Sequence, residues 1–249
     1  MGLWSRLFRK PRPIFLGRRD CHCHVVPGVD DGSRTMDESL DILRLLVAEG
    51  VRTVVATPHI YPGKFDNEPD ALRYRFDALE AARAAIGLAV SLELGAEHWL
   101  DASLVGRIAA RRVLSFGPER YVLFETSTGP DIPASLYDAV HALSDAGFTP
   151  LLAHVERYAY LRKESGEEVM ADLRAAGARF QVNRTVGELN LPGHGVRGRF
   201  LARLLERGWV DEVGSDLHRP TARGRPHAIP RSGAAGFHQT TRKPTDPSP

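Results

Sequence analysis

Residues Asp20 to Gly32 read Asp-Cys-His-Cys-His-Val-Val-Pro-Gly-Val-Asp-Asp-Gly. Alternation along a strand puts His22 and His24 on one face and Cys21 and Cys23 on the other, until Pro27-Gly28 breaks the run. Two imidazoles side by side at a strand end form a chelate. Asp30 and Asp31 follow in a turn able to fold back, and a carboxylate beside a His pair begins a mixed nitrogen and oxygen site for zinc, manganese or iron. Taken alone, the stretch reads equally well as two surface histidines on an edge strand, so the rest of the chain must decide.

The elements that would position these residues can be read in order. Thr35-Met-Asp-Glu38 offers a capping box, and Met36, Leu40, Leu43 and Val47 follow at helical spacing until Gly50. The β-branched run Arg52 to Thr57 predicts a strand ending in Thr57-Pro58-His59. Pro69 opens an Ala-rich helix that runs to Gly87. Strand Ala89 to Gly95 ends in Ala96-Glu97-His98, and a helix follows from Asp101 to Arg112. Strand Arg120 to Phe124 delivers Glu125; helix Pro133 to Ala146 precedes strand Pro150 to Ala153, which delivers His154-Val-Glu-Arg157. Helix Glu167 to Ala176, strand Arg179 to Val182 ending at Asn183, and helix Arg197 to Arg207 come next. Strand Trp209 to Gly214 then ends at Ser215-Asp216-Leu217-His218.

Seven strands alternating for the most part with helices predict parallel βα units. His22, His24, His59, Glu97, Glu125, His154, Asp216 and His218 all fall at or just past C-terminal strand ends. A parallel barrel gathers those ends on one face, where active sites lie, whereas an open sheet would spread them along a line. The pattern therefore favours a barrel holding metal.

Other polar residues have plainer readings. His98 should point away from its neighbour Glu97 and serve structure, His141 and His194 read as surface residues, Asp30 as a turn former, and Glu156 as a local partner for an arginine. Cys21 and Cys23, two apart on one strand face, are poorly placed to bridge. They read as small apolar fillers behind the site and point to a reducing, cytoplasmic compartment.

Charge is unevenly laid out over the 249 residues. Six basic residues and no acid precede Asp20, and six basic residues face one acid from Arg219 onward, leaving 21 basic and 30 acidic residues between. An acidic body with basic ends is not a nucleic-acid binder by its main surface. Residues 1–19 read as a flexible basic leader. Leu3, Trp4, Leu7 and Phe8 among basic residues form a pattern able to touch an anionic membrane surface. No apolar run reaches the length of a membrane span, and the N-terminus lacks the apolar centre of a signal peptide.

Asp20-Cys-His-Cys-His24 with Pro27-Gly-Val-Asp-Asp-Gly32, Thr57-Pro-His59, Gly95-Ala-Glu97, His154-Val-Glu-Arg-Tyr158 and Ser215-Asp-Leu-His218 resembles the polymerase and histidinol phosphatase (PHP) superfamily. Within it, the run is most similar to the bacterial metal-dependent protein-tyrosine phosphatases of capsule and exopolysaccharide loci, the CpsB/YwqE type. The resemblance covers Asp20 to His218 in order and spacing. It implies an α/β fold, a distorted (β/α)7 TIM-like barrel over residues 20–226, holding two or three divalent ions, manganese first, with iron, cobalt or zinc as alternatives. Carried over, a first ion takes His22, His24, Glu97 and Asp216. A second shares Glu97 and takes Glu125 and His154, and a third takes Asp31, His59 and His218. Arg157 matches the family's phosphate-gripping arginine, and a second falls at Arg223 or Arg225, with Arg223 better spaced from His218.

The implied chemistry suits the residues. Closely spaced metals lower the pKa of a shared water, supply hydroxide at neutral pH and clamp the oxygens of an in-line displacement, while an arginine fork holds the equatorial oxygens. The resemblance implies a phosphotyrosine protein as substrate, the tail of a bacterial tyrosine kinase, and leaves room for a homo-oligomer. Alternatives are a small phosphomonoester such as histidinol phosphate, or a non-catalytic metal-binding regulator. The match ends at Arg225: the family continues with a helical segment against the barrel, but residues 227–249 have the composition of a disordered tail, leaving an incomplete closing element.

Overall fold

The structure is a computed structural model that describes residues 12–187 and 189–220. Arg223, Arg225, the leader pattern at Met1 to Lys10 and the tail expected over 227–249 lie outside the described residues, as does the question of a missing closing element.

Nine strands and six α-helices occur among the described residues, in the order β1 (Arg19–Cys23), α1 (Met36–Ala48), β2 (Thr53–Ala56), β3 (His59–Ile60), α2 (Pro69–Ala85), β4 (Ser91–Leu94), β5 (Glu97–Trp99), α3 (Leu104–Ala109), β6 (Tyr121–Glu125), α4 (Leu136–Asp145), β7 (Thr149–Leu152), α5 (Gly166–Ala175), β8 (Arg179–Asn183), α6 (Gly195–Arg207) and β9 (Glu212–Gly214). The two strands beyond the expected seven arise because two strands are broken in the middle. Pro58 has no N–H to continue a ladder, so the run from Thr53 splits into β2 and β3. The run from Ser91 likewise splits at Gly95-Ala96 into β4 and β5.

All the ladders are parallel, in the orders β1-β2-β4 and β3-β5-β6-β7-β8-β9. Backbone bonds carry one ladder into the other, from Gly95 N–H to Ala56 O (2.8 Å) and from Glu97 N–H to Pro58 O (3.0 Å). At the far edge the chain leaving β9 returns to β1: Asp216 N–H donates to His22 O (2.8 Å) and His24 N–H to Leu217 O (3.0 Å). The sheet is therefore curled, and the C-terminal ends of its strands face one another.

The helices form where capping and periodicity say they should. The Thr35 hydroxyl accepts from Glu38 N–H at 3.2 Å and starts α1, whose Leu40, Ile42, Leu43 and Leu46 are buried against β1 and β2 residues. The other half of the capping box is displaced by one residue, since the Glu38 carboxylate takes Arg34 N–H. α6 stops at Gly208, whose φ of +65° suits a left-handed C-cap open to glycine. Each fully buried leucine on these faces adds about 1.5–3 kcal/mol, and Leu43→Ala would cost about 2–5 kcal/mol.

One expectation about β1 is corrected. Strict alternation would put both thiols on one face, yet Cys21 packs with Val55, Leu123 and Leu151, while Cys23 packs with Leu43 and Val54. The register shift between Asp20 and Cys23 accounts for this, because a bulge inverts the alternation beyond it. Both cysteines are buried and free, and burial pushes both thiols up, so they serve as small core residues.

Candidate metal centre

All nine residues expected as ligands meet where the strand ends converge. His22 and His24 leave β1, His59 opens β3, Glu97 opens β5, and Glu125 ends β6. His154 follows β7, Asp216 and His218 follow β9, and Asp31 lies in the turn after β1. His154 and Asp216 take positive φ values, +30° and +54°, conformations that cost free energy and persist where the surroundings enforce them.

Distances sort these side chains into sets. Nε2 of His22 lies 3.1 Å from Nε2 of His24 and 3.2 Å from Oε2 of Glu97. Oδ1 of Asp216 stands 3.6 Å from His22 Nε2 and 3.5 Å from His24 Nε2, and His24 Nε2 is 3.3 Å from Glu97 Oε2. Donors about 2.1 Å from a common ion are separated by about 3.4 Å in a tetrahedron and about 3.0 Å in an octahedron. His22, His24 and Asp216 bring one ligand atom each within 4.8 Å of one another, and so do His22, Glu97 and His154, so His22 stands in two sets. The other oxygen of Glu97, Oε1, sits 2.8 Å from His154 Nε2, which is 3.7 Å from Glu125 Oε2. Glu97 thus presents one oxygen to each of two neighbouring sets, as a bridging carboxylate does. Oδ1 of Asp31 is 3.5 Å from His59 Nε2 and 3.4 Å from His218 Nε2, a third set at the half-exposed mouth.

The sets interpenetrate. His59 also turns Nδ1 to within 3.4 Å of both Glu97 and Glu125, and His24 stacks on His218 with ring centroids 4.0 Å apart. Four overlapping groups of three or four of these residues bring ligand atoms within 4.8 Å of one another. Buried Nδ1 atoms of His59 and His154 have no hydrogen-bond partner. Packing five imidazoles and four carboxylates this closely, mostly out of water, is costly unless cations compensate. The donor set fits divalent ions.

The electrostatics of these side chains agree. Burial disfavours charge on His22, but the Glu97 and Asp216 carboxylates outweigh it and push the imidazole up to about 9. Burial, with the Glu97 charge beside it, pushes Glu125 up to about 8. Burial disfavours the charge of the half-buried Asp216 too, yet the histidines around it hold it down to about 2.

A supporting layer orients the ligands. Asp30 Oδ2 takes His24 Nδ1 at 2.9 Å and His59 N–H at 2.9 Å, while its Oδ1 takes Gly32 N–H. It forms the expected turn and also holds the candidate ligand His24, a role the residue order does not reveal. Gln181 was missed as well: Oε1 accepts from His154 N–H at 2.6 Å and faces His22 Nδ1 at 3.2 Å, and Nε2 donates to Asn183 Oδ1. Asn183 Nδ2 in turn donates to Asp216 Oδ2 at 2.8 Å. The available signal was a buried polar residue inside the strand Arg-Phe-Gln-Val-Asn. Backbone crowding adds to this order, since a Cβ at Gly214 would stand 2.4 Å from His22 Cβ.

Of the expected phosphate-binding arginines, Arg157 lies at the rim, 40% exposed, with Nη1 3.0 Å from Asp216 Oδ2. The plainer readings also have their places. His98 is buried, and its Nε2 accepts from Leu114 N–H. Burial, with Arg107 nearby, holds it down to about 3. His141 is exposed, as is His194 at the N-cap of α6. Among the described residues no arginine pairs with the Glu156 carboxylate: Oε1 accepts from Asn183 N–H and Asn190 Nδ2, and Arg162 bonds its backbone carbonyl instead.

A curled parallel α/β sheet with imidazoles and carboxylates clustered at its C-terminal strand ends is the architecture of a metal-dependent hydrolase. The chain belongs to the family described as Capsular polysaccharide synthesis, CpsB/CapC, whose pattern it matches over residues 18–230. It is 30% identical to the tyrosine-protein phosphatase YwqE of Bacillus subtilis (strain 168), over 82% of this chain and 78% of that one. It is 27% identical to the tyrosine-protein phosphatase CpsB of Streptococcus pneumoniae, over 82% and 84%. Its structure is similar to one described under crystal structures of YwqE from B. subtilis and CpsB from S. pneumoniae, unique metal-dependent tyrosine phosphatases. That similarity has a TM-score of 0.71 at 29% identity, covering 81% of this chain and 79% of that one.

Proposed function

We propose that this protein is a metal-dependent phosphatase that hydrolyses phosphotyrosine on protein, with the tail of a bacterial tyrosine kinase of polysaccharide synthesis as substrate. The observation that carries the reading is the donor set of His22, His24, Glu97 and Asp216, with Glu97 turned towards a second set and Arg157 at the rim, in a chain similar to tyrosine-protein phosphatases. In this reading residues 20–226 form the catalytic barrel, a distorted (β/α)7 arrangement in which β2 with β3 and β4 with β5 each count as one broken strand.

His22, His24, Glu97 and Asp216 would hold one ion, Glu97, Glu125 and His154 a second, and Asp31, His59 and His218 a third. Manganese suits the mixed imidazole and carboxylate donors. Bound divalent ions would supply an acidified water and neutralise charge on the phosphoryl oxygens. The chain's own part is orientation. Asp30 and Gln181 set the ring planes of His24 and His22, and Asn183 holds Asp216. The Arg157 guanidinium, at the rim beside Asp216, would take the equatorial oxygens. The buried free thiols agree with action in the cytoplasm. Among the described residues no helix is long and apolar enough to cross a membrane.

Hydrolysis of a phosphotyrosine peptide by purified protein, with chelator and then with manganese added back, tests the reading. Turnover abolished by chelation and restored by manganese is expected. Stable turnover in excess chelator, or none in folded, metal-loaded protein, would overturn it.

A further inference from the structure

Strand register places a group of aromatic rings beside the ligands. His59 pairs with Glu97 and Glu97 with Leu123, and two residues further along these strands Trp99 pairs with Glu125. Because alternate strand residues share a face, Trp99 stands in the same row as Glu125, one step nearer the mouth than His59 and Glu97. Tyr61 holds the corresponding position after β3, and its ring stacks on Trp99 with centroids 4.3 Å apart and planes 5° apart. Phe65, brought back by the short Tyr61 to Phe65 bridge, stacks on the His59 ring at 5.3 Å and 9°.

The loop is fastened to the site, since Asn67 Nδ2 donates to both His59 O and Val29 O. Tyr61, Phe65 and Trp99 are all half-buried, so part of each residue stays in reach of solvent at the mouth of the site. The Lys64 ammonium lies 5.4 Å from the Tyr61 centroid and 4.8 Å from the Phe65 centroid, putting positive charge at this rim. Core packing alone would bury these rings, whereas here they border the strand ends that carry the ligands.

We propose that Tyr61 and Trp99, continued by Phe65, form an aromatic wall that packs against the phenyl ring of an aryl phosphate and makes the site prefer phosphotyrosine to alkyl phosphates. The proposal rests on the phosphatase reading above. Aromatic pairs gain from offset stacking or edge-to-face contact, and an alkyl ester gains neither. The wall therefore acts on the organic half of the substrate, separately from the groups that hold its phosphoryl half.

Calorimetric titration of the manganese-loaded protein with phenylphosphonate and with methylphosphonate separates the two halves. In Trp99→Leu and Tyr61→Leu, phenylphosphonate binding should weaken about three- to tenfold while methylphosphonate binding stays unchanged, and Trp99→Phe should retain most of the phenyl preference. Melting temperatures of all three proteins report folding, and Tyr61→Leu serves if Trp99→Leu does not fold. Equal loss for both phosphonates, or no loss for either, would overturn the wall. Because binding is the readout, the wall is judged even if phosphotyrosine turnover is absent, an outcome that would instead sink the functional reading.

Discussion

Nδ1 of His24 lies 2.9 Å from Oδ2 of Asp30, six residues further along the chain, while Nε2 of the same ring faces Glu97 and Asp216. One carboxylate thereby sets the tautomer and plane of a ring whose other nitrogen is aimed into the candidate metal centre. Asp30 also accepts the His59 N–H, so it fixes the approach of a second ligand.

Removing this contact should weaken metal binding without removing a ligand. Asp30→Ala is expected to lower manganese affinity about 10- to 100-fold. Activity should return at high manganese, and a titration of activity against free metal checks this. Wild-type affinity in the variant would show that Asp30 only shapes the turn.

Gly214 permits His22 to sit where it does. A Cβ there would stand 2.4 Å from His22 Cβ and 2.9 Å from Gln181 Nε2, so Gly214→Ala must displace one or both. The expected result is a loss of about 1–3 kcal/mol of stability together with weakened metal binding. Thermal melting with and without metal measures both parts. A variant as stable and as metal-avid as the parent would contradict the packing described.

Protonation of these side chains gives metal uptake a definite pH dependence. The His22 pKa is raised to about 9, against an ordinary 6.5, and that of Glu125 to about 8, against 4.5. Both groups bind protons more tightly folded than unfolded. Their stabilising effect on the metal-free fold is present at low pH and is lost as pH rises, from 4.5 to about 8 for Glu125 and from 6.5 to about 9 for His22. A metal must displace these protons, so affinity should climb between pH 6.5 and 9, with proton release on binding at pH 7. Calorimetry in buffers of different ionisation enthalpy counts the protons, and zero release would refute the assignment.

Arg157 should matter to the phosphoryl group and not to the ions. Arg157→Ala is expected to lower kcat/KM about 100- to 1,000-fold while leaving bound metal per chain unchanged. Arg157→Lys should recover little, because an ammonium cannot reproduce the planar fork. Metal analysis beside steady-state kinetics tests both statements, and loss of metal in Arg157→Ala would mean that the arginine acts through Asp216.

Much of the candidate ligand set was legible in the residue order. His22 and His24 stand two apart on a strand, and His59, Glu97, Glu125, His154, Asp216 and His218 each follow a β-rich run. Chemical type and position at a strand end are local properties, and parallel strands must bring such ends together. What could not be read locally depends on neighbours distant in the chain. Gln181 looks like a misplaced polar residue in a strand until His22 and His154 are seen around its amide. The bulge that sends Cys21 and Cys23 into different clusters follows from pairing with β2, and only pairing reveals it. Whether His59 offers one ring nitrogen or both is decided by Asp31 on one side and Glu97 with Glu125 on the other. Sequence alone determined which side chains have ligand chemistry, because that chemistry belongs to the side chain. Tertiary structure decided which of them stand within reach of one another and what steadies them, because the distances between side chains on different strands are set by register and packing.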